Sequence, residues 1–272
     1  MSSAESTDRP PDVTGTAAAG LLGRTHALGP RQRRHLKASE TLAQDLAAYI
    51  VDSNLGPGTA LPAERQMLEQ LGVGRTTLRE ALRLLETRGV LTIRSGPGGG
   101  PVVRRPKLED LSESLSLMLQ YAGASLTDVI EARVWLESAI ARAAADRIKP
   151  QQVVQLRAIN DRLRREGLDD EAAFATGNDA FHRLVAEASG NLVLSIFLAA
   201  LQSIADGRAA GIRYDRRFRA AAVDDHVRII DALALGDADA ADRAARQHIT
   251  AATRHWKQEH ADLAARTVRW VL

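Results

Sequence analysis

The chain has 272 residues, room for two domains of ordinary size, and its 45% hydrophobic but only 4% aromatic content means cores built from aliphatic side chains. It has no cysteine, which excludes disulfides, thiolate metal sites and cysteine nucleophiles. The net charge of +2 conceals an asymmetry: the first 107 residues carry a basic excess and the rest an acidic one, the distribution of a polyanion-binding module joined to a regulatory body.

No apolar run approaches the ~18 residues that span a bilayer, and residues 1–20 lack the basic-then-apolar order of a secretory signal. A cytoplasmic protein with no membrane partner is expected. Residues 1–36 are rich in Ala, Gly, Pro, Ser and Thr and read as a disordered tail, closed by Arg31, Arg33, Arg34 and Lys37. From Ser39 the pattern is helical, with Leu42, Leu46, Tyr49 and Ile50 on one face and a stop at residues 54–58. Pro62 is expected in the first turn of a second helix, whose stripe is Leu61, Met67, Leu68 and Leu71. Gly72-Val73-Gly74 breaks the chain before a third helix, with Leu78, Ala81, Leu82 and Leu85 facing inward and Gly89 as its stop.

Residues 90–94 and 101–103 read as strands of a hairpin around the glycine-rich turn 95–100. Helix, helix, turn, helix and hairpin make residues 37–105 a winged helix-turn-helix with a small β-hairpin wing. Beyond the linker 104–107 no strand pattern appears. Helices are readable near 108–121, 126–148, 151–166, 169–189, 192–209, 217–235 and 238–258. The fold class is therefore mainly α, with residues 106–258 an all-α bundle of six or seven helices and 259–272 a C-terminal extension. In that extension Val268, Trp270, Val271 and Leu272 suit docking either on the bundle or on a partner.

A helix-turn-helix sets its second helix in the major groove, so the outward face of that helix must carry hydrogen-bond donors. Opposite the apolar face of residues 75–88 stand Arg75, Thr76, Thr77 and Arg79. Arginine reads guanine with two parallel bonds, and threonine meets phosphate or a thymine methyl. Arg65 opens the preceding helix within reach of the DNA backbone, and the wing tip around Gly98 has no side chain to obstruct insertion into a minor groove. Arg and Thr on an exposed helix are ordinary in themselves; the full order of elements is not.

In the second domain, His182, His226 and His248 lie inside apolar helical patterns. One such histidine is ordinarily a core residue, whereas three raise the prospect of a metal site. Asn178 and His182, at i and i+4, share a helix face, and His226 and His248 flank the turn at Gly236-Asp237. Imidazole-rich ligation suits Zn, Ni, Cu or Fe, with Zn the common choice. An open coordination position beside three histidines also fits a metalloenzyme, with Glu187 the nearest downstream carboxylate as base. A third reading makes the bundle only a dimerisation device of an architectural DNA-binding protein.

Leu61-Pro62-Ala63-Glu64-Arg65, Leu71-Gly72-Val73-Gly74-Arg75-Thr76-Thr77-Leu78-Arg79-Glu80-Ala81-Leu82 and Gly89-Val90-Leu91 closely resemble the winged-helix signature of the GntR family. Asp128-Val129-Ile130-Glu131-Ala132-Arg133-Val134-Trp135-Leu136-Glu137, Asn178-Asp179-Ala180-Phe181-His182, Ala188-Ser189-Gly190-Asn191 and His226 through Leu233, with Gly236-Asp237 and His248, resemble the FCD domain that defines its FadR subfamily. The resemblance implies a homodimeric transcription regulator, commonly a repressor and not an enzyme, that binds double-stranded operator DNA. It implies DNA contacts by Arg65, Arg75 and Arg79, and by the wing. It further implies a divalent transition metal, zinc first with nickel, manganese or iron as alternatives, on Asn178 or Asp179 with His182, His226 and His248. A small organic acid effector would meet Arg133 and Asn191; the other reading of Arg133 is a buried ion pair with an acid of a neighbouring helix. This sequence departs from the family pattern at Gly74, where serine is common, at Asn178, where aspartate is common, and in a wing without a basic tip.

Overall fold

The computed structural model describes residues 37–96, 99–205 and 213–270. The chain divides into two units, Met1–Asp110 and Leu111–Leu272. The tail 1–36, Gly98 at the wing tip, residues 206–209 of the fifth bundle helix and the terminal Val271 and Leu272 lie outside the described residues.

In the first unit, α1 (Ala38–Asp52), α2 (Glu64–Leu71) and α3 (Arg75–Thr87) precede strands β1 (Leu91–Arg94) and β2 (Gly100–Val103). The periodic leucines close one core. Leu42, Leu46 and Ile50 from α1 meet Met67 from α2, and Leu78, Ala81, Leu82 and Leu85 from α3 complete it. Gly72 ends α2 in the left-handed region at φ 62°, a conformation that strains any residue with a Cβ. Gly89 follows α3 at φ 71°, and a Cβ built there would stand 2.5 Å from Asp110 Oδ2. Pro62 is not in the first turn of α2. The helix begins at Glu64 with Ala63 as its cap, and Pro62 falls in the extended approach.

That approach has a structural role. β1 and β2 pair antiparallel with Leu91 opposite Val103 and Arg94 opposite Gly100. On its other edge β2 is met by the approach to α2 at an isolated bridge: Ala60 bridges Val102, Gly58 N donates to Val103 O at 2.8 Å, and Leu61 N donates to Pro101 O at 2.9 Å. Pro101, with no N–H to give, sits where only its carbonyl is required.

The named elements of the second unit are all helices: α4 (Leu108–Ala122, which starts in the first unit), α5 (Leu126–Ala145), α6 (Pro150–Arg162), α7 (Glu171–Ala188), α8 (Leu192–Ile204), α9 (Arg216–Leu235), α10 (Ala238–Glu259) and the single turn α11 (Ala261–Ala264). Helix starts follow local chemistry. Ser125 and Asp128 exchange bonds in a capping box at α5, and Asp170, Asn191, Asp215 and Asp237 cap α7 to α10 with their side chains. The run expected as one helix to residue 166 is α6 followed by a π turn over Leu163–Gly167. Ile140, Ala144, Leu156, Phe181, Ile230 and Leu233 anchor the main core.

The extension docks on its own bundle. Leu126 N donates to Arg266 O at 3.1 Å, Val268 N to Ala124 O at 2.8 Å, and Trp270 N to Gln120 Oε1 at 2.7 Å. Val268 is buried among Val129, Ile130, Ala205 and Trp256. This segment therefore clasps the turn between α4 and α5.

Candidate nucleic-acid interface and metal centre

On α3, the four apolar residues that fill the core leave Arg75, Thr76 and Arg79 exposed on the other side, with Thr77 half-buried. Gly74 caps this helix without a side chain, and no acid stands in the first turn. The N–H groups there are left to an external acceptor, the arrangement that favours a phosphate oxygen. Arg65 is exposed on α2 and lies 3.8 Å from Glu69. One residue that sequence reasoning missed belongs with this group. Glu64 accepts from Arg79 Nε at 3.0 Å and lies 3.8 Å from Arg75 Nε.

The bundle brings three histidines together from three helices. Among the described residues, His182 of α7, His226 of α9 and His248 of α10 offer ring nitrogens that all lie within 4.8 Å of one another. All three rings are buried. Phe181 stacks on His226 with centroids 3.8 Å apart. Each ring faces an oxygen at its Nδ1. Glu137 Oε2 lies 2.6 Å from His182 Nδ1, Asn160 Oδ1 lies 3.2 Å from His226 Nδ1, and Asp225 Oδ2 lies 3.4 Å from His248 Nδ1. Asn160 can only accept through Oδ1, because its Nδ2 donates to Val223 O at 3.1 Å. His226 Nδ1 is therefore the protonated nitrogen and Nε2 carries the lone pair. That Nε2 is buried and has no hydrogen-bond partner.

An orphaned buried acceptor costs about 1–3 kcal/mol, which an arriving ion would recover. Three imidazoles, each with an oxygen facing its Nδ1, match the way metal-binding histidines are oriented. The residues present thus fit a divalent transition metal. Burial, then the neighbouring His248 and His182, push the pKa of His226 well below its ordinary value. Burial, then His182, bring His248 down to about 3 against the pull of Glu137. Both rings are neutral at physiological pH, the form that ligates. Burial works against a charged Glu137, but His182 and Arg133 outweigh it and hold its pKa at about 2.

Asn178 is half-buried on α7 one turn before His182, whereas Asp179 is exposed and stands outside the histidine group. Arg133 does not reach an open site. It donates from Nε to Glu137 Oε1 at 2.9 Å, forming a chain Arg133–Glu137–His182. Asn191 is the exposed cap of α8, its Oδ1 engaged by Val193 N and Leu194 N at 3.1 and 3.2 Å. Glu187 is exposed and apart from the three rings. Beside Glu137, His182 and His248 a cavity leaves about 10 Å³ for the centre of a water molecule, room for one water. Asn160 and Asp225 escaped the sequence reading, and Glu137 stood in the FCD-like run without a role. The available signals were an acid at i+4 from Arg133 inside an apolar run, and an amide on the inward face of α6.

Comparison with known proteins finds a family match for each domain. The family described as "Bacterial regulatory proteins, gntR family" matches residues 38–99, and the FCD domain matches residues 128–251. The HTH-type transcriptional repressor NanR of Salmonella arizonae is 30% identical over 237 residues, covering 85% of this chain and 89% of that protein. NanR of Cronobacter sakazakii is 30% identical over 263 residues, covering 91% and 95%. Among solved structures, Streptococcus agalactiae GntR aligns with a TM-score of 0.64 at 28% identity, covering 79% of this chain and 99% of that one. With its outward arginines on α3 and its histidine-centred helical bundle, the chain belongs to the GntR family of bacterial regulatory proteins, in the FadR-like branch that carries an FCD domain.

Proposed function

We propose that this protein is a cytoplasmic, homodimeric transcription repressor whose α3 reads an operator and whose bundle holds a metal and a small organic acid. The observation that carries the sensor half is the orphaned Nε2 of His226, buried beside two further imidazoles. His182, His226 and His248 would hold the ion, with Asn178 as the neutral fourth ligand and zinc as the first choice of metal. When bound, the ion supplies a positive charge that attracts a carboxylate.

This chain's residues set the terms of effector binding. A site with room for one water must widen to admit an organic acid, and the Arg133–Glu137 pair is the charged contact at hand to rearrange. Arg133, released from Glu137, offers a guanidinium fork for the effector's carboxylate. Regulation then requires that the effector bind one state of the dimer more tightly than the other. On the DNA side, Arg75 and Arg79 are the base-reading candidates, Arg65, Thr76 and Thr77 the companions, and Gly98 the wing-tip candidate. Two copies suit a pseudo-palindromic operator, because a single module of this size gives modest specificity.

The test is selection of duplexes from a random pool by the zinc-loaded protein, followed by gel shifts with and without a panel of small carboxylates. A selected palindrome lost in the Arg75→Ala, Arg79→Ala double variant, and released by one acid only when His226 is intact, is the expected result. Binding indifferent to sequence defeats the operator reading. Binding indifferent to every acid and to zinc defeats the sensor reading.

A further inference from the structure

We infer that Glu64 is a positioning residue for DNA reading, holding both arginines of α3 in place before DNA arrives. The inference rests on the reading that α3 faces operator DNA. Glu64 is the first residue of α2, and its carboxylate lies between Arg75 and Arg79. Arg79 Nε donates to both oxygens, at 3.0 and 3.2 Å, and Arg75 Nε stands 3.8 Å from Oε1. The Glu64 side chain is 34% exposed, against 72% for Arg75 and 60% for Arg79, so it is the more sheltered partner of both ion pairs.

A negative charge beside a phosphate-binding surface opposes binding by electrostatics alone. Its location in the crossing between α2 and α3 makes sense if what it adds is order. A guanidinium offers five N–H donors, and a bond through Nε leaves the outer Nη groups free for the two parallel bonds that a guanine edge accepts. Arginine is otherwise a rotamer-rich side chain whose immobilisation on binding costs about 2- to 10-fold in affinity for each residue. Holding both side chains in place moves that cost to folding. The charge also discriminates: a guanidinium already neutralised by Glu64 is a poorer partner for any passing phosphate, while its directed Nη donors remain for a base. Glu64 thus weakens indiscriminate binding and strengthens the selected complex.

These two effects have opposite signs in a Glu64→Ala variant, which makes the test sharp. The probes are the duplex selected by the wild-type protein and a scrambled duplex of the same composition, each titrated over a range of salt. The selected duplex is expected to bind about 10-fold more weakly. The scrambled one should bind equally or more tightly, with a salt slope steeper by up to about one. Glu64→Gln keeps an oxygen for Arg79 Nε and should restore most of the loss on the selected duplex. Arg79→Lys keeps the charge but loses the Nε–H, and adding it to Glu64→Ala should cost less than the sum of the two single changes. Unfolding midpoints distinguish these effects from a damaged fold. If Glu64→Ala tightens both duplexes, the carboxylate only repels DNA; if it weakens both in proportion, or alters neither, it does not position the arginines. Any of those results overturns the inference. A wild-type protein that fails to separate the two duplexes defeats instead the operator reading beneath it.

Discussion

Replacing Asn160 with leucine separates what the histidine centre does for folding from what it does for metal. Asn160 is 3% exposed and makes two bonds, from Nδ2 to Val223 O at 3.1 Å and at Oδ1 with His226 Nδ1 at 3.2 Å. Leucine keeps the same branched frame and number of heavy atoms, is bulkier, and can make neither bond. Two buried hydrogen bonds are worth about 1 kcal/mol each, and leaving the Nδ1–H of His226 without an acceptor costs about 1–3 kcal/mol more. The apolar side chain offsets part of this, so the metal-free protein should lose about 2–4 kcal/mol, a fall in Tm of roughly 5–15 °C. Freed from Asn160, the ring can turn and exchange tautomers, so zinc should bind about 10- to 100-fold more weakly. Urea unfolding in chelator measures the first effect, and zinc competition against a chromophoric chelator measures the second. A variant within 1 kcal/mol of wild type that also binds zinc equally well would refute the claim that Asn160 fixes His226.

Three further outcomes follow from the same geometry. His248, with a folded pKa of about 3 against an ordinary 6.5, and His226, also pushed down, take up protons more readily when unfolded. Their contribution to metal-free stability should be complete above pH 6.5 and lost as pH falls below it, with Glu137 adding a loss below its ordinary 4.5; urea midpoints that stay flat from pH 8 to 4 contradict this. Gly89→Ala sets a Cβ 2.5 Å from Asp110 Oδ2 at φ 71°, and should destabilise the DNA-binding unit by about 1–3 kcal/mol in thermal unfolding. Val268→Ala removes two buried methyl groups beside Trp256 and should cost the bundle about 2 kcal/mol, read by tryptophan fluorescence; no loss would mean that the extension does not grip the α4–α5 turn.

Legibility in the sequence tracked the range of the interaction. The inward face of α3 is a repeat of Leu78, Ala81, Leu82 and Leu85, and a helix period is local enough to read directly. The hairpin likewise follows from β-branched runs around glycines, and the three histidines were visible because ring nitrogens are rare in aliphatic helices. What stayed hidden depends on side chains meeting across the fold. Glu64 reaches Arg79 over 15 residues and Asn160 reaches His226 over 66, and neither distance leaves a periodic trace. Proline favours first turns, which predicts a helix at Pro62, but the residues just before it pair with β2 and keep the chain extended until Glu64. The clasp of residues 266–270 has no periodicity at all, since its bonds run through the backbone and only Val268 is buried.

The bridging segment at residues 58–61 bears on how such regulators can be recombined. Because β2 is paired on both edges, a hairpin taken from another protein would arrive with one edge mismatched unless its neighbouring segment came too. That segment runs through Pro62 and Ala63 straight into Glu64, and Glu64 pairs with Arg75 and Arg79. Wing and reading helix are therefore not separately exchangeable parts. A chimera designed to change operator preference should carry residues 58–103 as a single cassette, with the junctions placed in the stop after α1 and in the linker beyond β2.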